Sequence, residues 1–335
     1  MLPTLVTLLL LLLLLHLSLL PLVTATASPL LNRDFPDPSI LHDSSGTYYA
    51  FATSLLTGPS PKNIQVASAP SPLGPWTYLD IDPLPNPGSW TSGPGSLTWA
   101  PSVVRLSDNS YVMYYSGQLS GNNSAYHCIG AAKSTSSVTG PYTPLSQPIA
   151  CPISQGGAID PAGFLDPLTG KRYLVYKVDG NSLGNGGSCG NSVAPQVPTP
   201  IVLQPVADDG VTFVGERVTI LDRTEEDGPL VEAPDLWFDW GTGTYVLFYS
   251  NHCWSEEGYS VNYATSGEVT GVYKRASKGS LVATGDGLGV VAPGGASAVR
   301  RVDGDGGGNR TSIVFHGNCG EGRCLFGVDV SIGLS

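Results

Sequence analysis

"DPSILHDSSGTYYAFAT", residues 37–53, decides the fold, because the same pattern returns four more times along the chain. Each copy begins with a small or acidic residue and a proline, and continues into a short apolar strand. A polar turn and a second apolar strand follow, which is the pattern of a β-hairpin. The other copies are "APSVVRLSDNSYVMYYSG" (100–117), "DPAGFLDPLTGKRYLVYK" (160–177), "APDLWFDWGTGTYVLFYS" (233–250) and "APGGASAVRRVDGDGGGNRTSIVFHG" (292–317).

The spacing of the repeats predicts how many strands each one holds. Successive prolines lie 63, 60, 73 and 59 residues apart, which is enough for about four strands of 5–6 residues with their turns. Five such repeats predict an all-β fold, a five-bladed β-propeller with four-stranded antiparallel blades around a central channel. A pair of β-sandwiches is the competing fold. The five prolines are Pro38, Pro101, Pro161, Pro234 and Pro293.

The prolines also predict which residues meet at the channel. Proline lacks a backbone N–H and is tolerated at the first position of a strand. If each proline opens the innermost strand of its blade, all five strand starts converge at one mouth of the channel. Three repeats would bring a carboxylate there, and two would bring an alanine. The carboxylates are Asp37, Asp160 and Glu232, and the alanines are Ala100 and Ala292.

Three converging carboxylates point to acid–base chemistry. Carboxylates held close together raise one another's pKa, so that one can stay protonated near neutral pH. Cleavage of a glycosidic bond with inversion needs such an acid and a base that activates water, about 6.5–9.5 Å apart. Nearby carboxylates are rivals for each position. They are Asp34 for the first, Asp166 for the second, and Glu225, Glu226 and Asp235 for the third.

The series "FPDPSI", "WAPSVV", "AIDPAGF", "VEAPDLW" and "VFHG" resembles glycoside hydrolase family 43, over essentially the whole chain from about Asp34 onward. That family has a five-bladed propeller and hydrolyses α-L-arabinofuranosides and β-D-xylosides with inversion. The resemblance implies that Asp37 is the general base and Glu232 the general acid. It implies that Asp160 orients and tunes the acid.

Four further residues are expected near the channel mouth. Trp99 in "TWAPSV" and Trp254 in "NHCWSEE" are expected to contact substrate, and Arg323 in "EGRCLF" to bond a sugar hydroxyl. The resemblance implies that His316 in "VFHGN" helps to hold a calcium or other ion through water; no other cofactor is required. Structural roles for Trp99 and His316, and a surface position for Arg323, are the alternatives.

The first 27 residues are expected to be an export signal. The apolar run "LVTLLLLLLLLHLSLLPLV" ends before Ala25-Thr26-Ala27, a small-x-small cleavage pattern. An uncleaved membrane anchor is the alternative. Residues 28–335 would then form a single, secreted catalytic propeller that does not contact a membrane. Six cysteines in an exported chain suggest up to three disulfides, with Cys319–Cys324 as the predicted pair.

The net charge of the chain indicates which classes of partner it can bind. A formal charge of −11 disfavours nucleic acid, anionic lipid and polyanionic glycans, so a neutral plant polysaccharide or oligosaccharide fits better. A closed propeller can stand alone, and we expect a monomer. The favoured function is an α-L-arabinofuranosidase, with β-xylosidase and endo-arabinanase as alternatives.

Two other classes of propeller compete with these enzymes. A fructan-cleaving propeller usually carries "NDPNG" and "RDP" motifs, and both are absent from this chain. A non-catalytic carbohydrate-binding propeller would not need the three carboxylates.

Overall fold

The computed structural model describes residues 27–93, 97–135, 137–301 and 310–333. The described residues form five antiparallel sheets arranged as the blades of a propeller. Up to residue 26, the expected export signal lies outside these ranges. Within them, no helix has the length and apolar character required to cross a membrane.

Each blade runs outward from an innermost strand, and in every blade the strands pair in chain order. Blade one has β1 (Ser39–His42), β2 (Tyr48–Ala52), β3 (Gln65–Ala69) and β4 (Thr77–Leu79). Blade two has β5 (Thr98–Arg105), β6 (Tyr111–Gln118), β7 (His127–Ser134) and β8 (Thr143–Pro144). Blade three has β9 (Ala158–Leu165), β10 (Arg172–Val178), β11 (Ile201–Val206) and β12 (Val218–Leu221). Blade four has β13 (Val231–Asp239), β14 (Thr244–Asn251), β15 (Ser260–Ser266) and β16 (Lys274–Arg275). Blade five has β17 (Val291–Arg301), β18 (Arg310–Cys319) and β19 (Gly322–Val330).

The core lies between the blades. Each sheet is covered on both faces, so its central strands are continuous apolar runs and not alternating ones. Burying one large apolar side chain in such an interface contributes about 1.5–3 kcal/mol. Five buried clusters join successive blades and close the ring. Each cluster contains residues of two neighbouring blades, for example Phe51 and Met113, Tyr114 and Leu174, Leu203 and Leu247, Phe248 and Phe315, and Val314 and Ala50.

The two ends of the chain complete blade five together. The N–H of Leu30 donates to the carbonyl of Leu325 at 2.8 Å, and the N–H of Phe35 donates to the carbonyl of Arg323 at 2.8 Å. The segment before blade one therefore pairs along the free edge of β19 as the fourth strand. This confirms the predicted five-bladed propeller of four-stranded blades, and it places residues of blades one and five side by side.

The residue before each channel proline has a left-handed backbone. The φ angles are 53° at Asp37, 43° at Ala100, 55° at Asp160 and 50° at Ala233. Such angles are uncommon in residues other than glycine and cost on the order of 1–3 kcal/mol each. In blades two, three and four the strand pairing shifts at these positions, so each is a β-bulge, a feature that redirects side chains.

Side chains of the preceding blade accept the backbone N–H groups at these bulges. Thr53 Oγ1 accepts from Ala100 N at 2.9 Å, and Ser116 Oγ accepts from Asp160 N at 2.9 Å. Both acceptors lie near the end of the second strand of their blade. These bonds fix the angle between neighbouring blades at the channel, where the predicted site residues emerge.

Blade five differs from the expected alignment. The sequence pattern places Ala292 and Pro293 at the channel, and Ala292 has a left-handed backbone with φ of 49°. The residue that lines the channel beside the other four bulges is instead Gly295, with φ of 61°. Ser250 Oγ accepts the N–H of Gly295 at 3.0 Å, as the hydroxyls of blades one and two do for the next blade. The strand β17 shifts its pairing twice, once before and once after Gly294. The expectation for Ala292 was therefore wrong, because the second shift inserts residues that the proline pattern does not reveal.

Glycine is needed at both shifted positions of β17. A Cβ atom on Gly294 would overlap the ring of Tyr259, and one on Gly295 would lie 3.0 Å from His316 Nδ1. Tyr259 and His316 thus occupy the volume that the two glycines leave free.

All six cysteines are paired. The bridges are Cys128–Cys151, Cys189–Cys253 and Cys319–Cys324, so the predicted pair is confirmed. Cys189–Cys253 ties the Gly/Ser/Asn-rich segment 179–200 to the loop that follows β14.

Candidate active site

A cavity of about 380 Å³ opens to solvent at one mouth of the channel. Its walls come from all five blades, so residues far apart in sequence face one another across it. The structure brings together the six residues that the sequence predicted for catalysis and substrate binding. They are Asp37, Trp99, Asp160, Glu232, Trp254 and Arg323.

Asp37 is held by two donors. Thr53 Oγ1 donates to Asp37 Oδ2 at 2.6 Å, and Arg323 Nη1 donates to Asp37 Oδ1 at 3.2 Å. Burial alone would raise the pKa of Asp37, but the Arg323 guanidinium and the other neighbours outweigh it, so the pKa lies below its usual range. The carboxylate is therefore ionised at neutral pH. Its rival Asp34 accepts the backbone N–H of Arg323 at 2.9 Å and so serves the backbone.

The surroundings of Asp160 raise its pKa, whereas those of Asp37 lower the pKa of that carboxyl. Burial, and next the charge of Glu232, raise the pKa of Asp160 to about 8. Asp160 Oδ2 accepts the N–H of Ala233 at 2.9 Å, which links blades three and four. Asp160 therefore holds a proton at neutral pH, beside a second carboxylate. Its rival Asp166 accepts bonds from Thr169 and Tyr245 at the far end of the hairpin and lies outside the cavity.

Glu232 has a donor on each carboxylate oxygen. Lys177 Nζ lies 3.0 Å from Glu232 Oε2, and Tyr259 Oη donates to Glu232 Oε1 at 2.9 Å. Burial opposes the charge on Lys177, yet Glu232, Asp179 and Asp160 together raise the pKa of Lys177, so it stays charged. Burial raises the pKa of Tyr259 well above its usual range. Glu232 thus stands among groups that keep their protons.

The three rivals of Glu232 lie elsewhere. Glu225 and Glu226 belong to a 3₁₀ turn, Glu225–Asp227, and do not line the cavity. Asp235 lines a smaller cavity of about 40 Å³ further along the channel. Burial raises the pKa of Asp235 to about 7, and its Oδ2 accepts the N–H of Ala298 at 2.8 Å. Asp235 therefore joins blades four and five.

Aromatic faces line the entrance of the cavity. Trp99 stacks on His127 with ring centres 3.6 Å apart, and burial lowers the pKa of His127 to about 4, so the supporting ring is neutral. The Arg323 guanidinium lies 4.9 Å from the ring centre of Trp254, whose side chain is 48 % exposed. Apolar walls with a few convergent polar groups are typical of small-molecule and sugar sites.

The comparisons with known proteins agree with this geometry. Residues 26–332 match the sequence profile of Glycosyl hydrolases family 43. The chain belongs to glycosyl hydrolases family 43. "Probable arabinan endo-1,5-alpha-L-arabinosidase A" of Aspergillus flavus is 36 % identical over 152 residues, which are 45 % of this chain and 39 % of that protein. The match thus spans well under half the length of this curated relative.

Solved structures share the fold of this family 43 chain. A thermostable family-43 glycoside hydrolase superposes with a TM-score of 0.70 at 20 % identity, over 89 % of this chain and 90 % of the other. An endo-1,4-beta-xylanase from Bacteroides thetaiotaomicron superposes with a TM-score of 0.66 at 22 % identity, over 92 % and 94 % of the two chains. At these identities the likeness shows the fold alone.

His316 lies beneath the cavity of the family 43 chain and is fully buried. Its Nδ1 accepts the N–H of Asp37 at 3.1 Å, and burial lowers the pKa of His316 to about 3, so the ring is neutral. Its Nε2 has no hydrogen-bond partner among the described residues. These residues also contain no group of three His, Cys, Asp or Glu side chains that could bind a metal. Because Nδ1 accepts a hydrogen bond, the proton of the neutral ring lies on Nε2, so this ring can bond a water molecule around an ion but cannot bind the ion directly.

Three titratable residues of the cavity were missed from the sequence: Lys177, Asp179 and Tyr259. A signal for Lys177 was present. The four equivalent positions near the ends of the second strands of the first four hairpins hold Thr53, Ser116, Lys177 and Ser250. Lysine is therefore the exception among residues that carry a hydroxyl. Tyr259 lies outside the repeated hairpins, and no sequence pattern singled it out.

Proposed function

We propose that this chain is a secreted, monomeric, inverting glycosidase that cleaves α-L-arabinofuranosyl linkages of plant polysaccharides or oligosaccharides. The observation that carries the proposal is the meeting of Asp37, Asp160 and Glu232 at one cavity, where the pKa of Asp37 is lowered and the pKa of Asp160 is raised. An ionised base together with a proton-bearing acidic pair is the combination that inversion requires.

In the proposed reaction, Asp37 is the general base. Its ionised carboxylate takes a proton from a water molecule, and that water attacks the anomeric carbon. Arg323 and Thr53 keep Asp37 ionised and hold both of its oxygens in place. Both groups are donors, so they stabilise the carboxylate before the proton arrives.

Glu232 is the proposed general acid. It donates a proton to the oxygen of the leaving sugar while water attacks from the opposite face. Asp160 and Glu232 form a buried, interacting pair, and such a pair titrates as a unit. Because Asp160 retains a proton near neutral pH, the pair as a whole carries the proton that the reaction uses.

Trp99, Trp254 and Arg323 are the proposed substrate contacts. The two indole faces can pack against the apolar face of a sugar ring, and Arg323 can reach a hydroxyl next to Asp37. The name of the curated arabinan-cleaving relative supports arabinose as the sugar. That same name favours internal cleavage of arabinan as a second candidate function.

We also propose that His316 holds a calcium or other ion through water, beneath Asp37. When bound, the ion would supply positive charge that favours the ionised base. The three disulfides support export, because disulfides persist in oxidising compartments.

The test uses aryl α-L-arabinofuranoside, aryl β-D-xyloside, linear arabinan and xylan side by side, with the purified protein and its Glu232→Gln variant. We expect arabinofuranoside turnover by the unchanged protein and at least a 100-fold loss on arabinan in the variant. A xyloside preference would overturn the substrate assignment. Binding of arabinan without any hydrolysis would replace the enzyme by a binding propeller.

A further inference from the structure

Lys177 is unusual among the four residues at equivalent positions near the ends of the second strands, because the other three carry hydroxyls. Its side chain is fully buried, and its ammonium lies 3.0 Å from Glu232 Oε2 and 3.1 Å from Asp179 Oδ1. Burying an ammonium costs several kcal/mol unless partners compensate for the lost hydration. A hydroxyl, as in Ser116 or Ser250, would avoid that cost. The lysine must therefore be explained by what it does to its partners.

The backbone bond that the hydroxyls make in other blades does not explain it. Thr53, Ser116 and Ser250 each accept an N–H of the next blade. In blade three, Asp160 Oδ2 accepts the corresponding N–H of Ala233 at 2.9 Å. Lys177 is thereby free to point at Glu232, and the blade angle is still fixed.

The donor pattern around Glu232 determines where an acid proton can reside. An ammonium has three donors and no acceptor, whereas a phenol can donate or accept. A proton on Glu232 Oε2 would oppose the N–H of Lys177. A proton on Oε1 is compatible with Tyr259, whose hydroxyl can turn to accept it or yield to the leaving oxygen.

Other charged and titratable groups also face this pair. From blade one comes Asp37, from blade two His127, and from blade three Asp160 and Asp179. Blade four contributes Tyr259, and blade five contributes His316 and Arg323. Among these cavity groups Lys177 is the cation in direct contact with Glu232, and it shares its charge with Asp179.

We propose that Lys177 is a positioning residue for the general acid: it binds Glu232 through Oε2, so that the transferable proton resides on Oε1, and Asp179 limits how strongly its charge holds Glu232 ionised. The inference rests on the proposed glycosidase function. It assigns no covalent step to Lys177.

The test compares Lys177→Met and Asp179→Asn on two aryl α-L-arabinofuranosides. One has a good leaving group (dinitrophenol) and the other has a poor one (phenol). Only the poor leaving group needs the acid. We expect Lys177→Met to lose about 100-fold on the phenyl substrate and less than about tenfold on the dinitrophenyl substrate. The ratio of the two losses does not depend on how much of the variant is folded.

The pH profile of kcat/KM gives a second readout, in which the two variants should shift the basic limb in opposite directions. The acid must be protonated, so kcat/KM on the phenyl substrate falls as pH rises through the basic limb. Removing the Lys177 charge favours the protonated acid and should move that limb to higher pH. Asp179→Asn leaves the lysine charge unshared and should move it to lower pH. The exposed Lys171→Met is the matched control and should change neither readout.

The outcomes distinguish a failure of the role proposed for Lys177 from a failure of the proposed glycosidase function. Equal losses of Lys177→Met on both substrates, or basic limbs of the two variants that move together, would overturn the role of Lys177. If the unchanged protein hydrolyses neither glycoside, the proposed function itself fails. Unfolding curves of each variant, measured alongside, report the fold directly.

Discussion

Arg323 and Asp37 are 286 residues apart in the chain, yet Arg323 Nη1 donates to Asp37 Oδ1 at 3.2 Å. The contact exists because the segment before blade one pairs with the edge of β19. Closure of the propeller therefore also assembles the base and the cation that keeps it ionised. The site depends on the completed ring and on no single blade.

Arg323→Met should shift the acidic limb of kcat/KM to higher pH by about 1 unit. The base must be ionised, so activity is lost as pH falls through its pKa. Arg323 is a major cause of the lowered pKa of Asp37, and without it that pKa rises. A pH series on an aryl glycoside measures the limb. Arg217→Met, at an exposed position, is the control, and an unshifted limb in Arg323→Met would refute the pairing.

Thr53→Val and Ser116→Ala should be equally unstable but differ in catalysis. Each leaves a backbone N–H at a bulge without its acceptor, which costs about 1–3 kcal/mol when the group is buried. Only Thr53 also donates to Asp37. Denaturant unfolding should therefore show similar losses, while the acidic limb moves to higher pH in Thr53→Val alone. A similar shift in Ser116→Ala would contradict this division of roles.

Asp160→Asn should stabilise the fold increasingly as pH rises. The folded-state pKa of Asp160 is raised from 3.8 to about 8, so between these values the unfolded chain ionises while the folded one keeps its proton. Stability is lost as pH rises through this window, by up to about 1.4 kcal/mol per pH unit. Asparagine cannot ionise, and its oxygen can still accept from Ala233. Denaturant unfolding from pH 4 to 8 measures the difference, which would be independent of pH if Asp160 titrated normally.

Removing the Cys189–Cys253 bridge should weaken substrate binding as well as the fold. The bridge joins segment 179–200 to the loop that carries Trp254 at the rim of the cavity. A double alanine variant should lose about 2–4 kcal/mol of stability and show a raised KM for polysaccharide. The matched control removes Cys128–Cys151, which lies in blade two. It should lose similar stability with an unchanged KM, and equal KM effects of the two variants would contradict the assignment.

The repeated prolines were sufficient to predict the blade number and four of the five channel positions, because a proline marks a strand start by its chemistry alone. The channel position of blade five could not be predicted, since Gly295 occupies it without a following proline. Lys177 differs from the hydroxyl residues at the equivalent positions, but its burial depends on partners in blades three and four that the sequence does not reveal. The pairing of Cys189 with Cys253 depends on how two loops meet in space. The sequence therefore predicted the features that local chemistry sets, but it did not predict the contacts between loops.

The central claim is tested most directly by proton NMR of the hydrolysis of an α-L-arabinofuranoside as it begins. An attack by water activated at Asp37, opposite a proton delivered by Glu232, predicts that the first sugar released has the inverted, β configuration and then equilibrates. Release of the α anomer first would mean that a carboxylate acts as a nucleophile, and it would contradict the account.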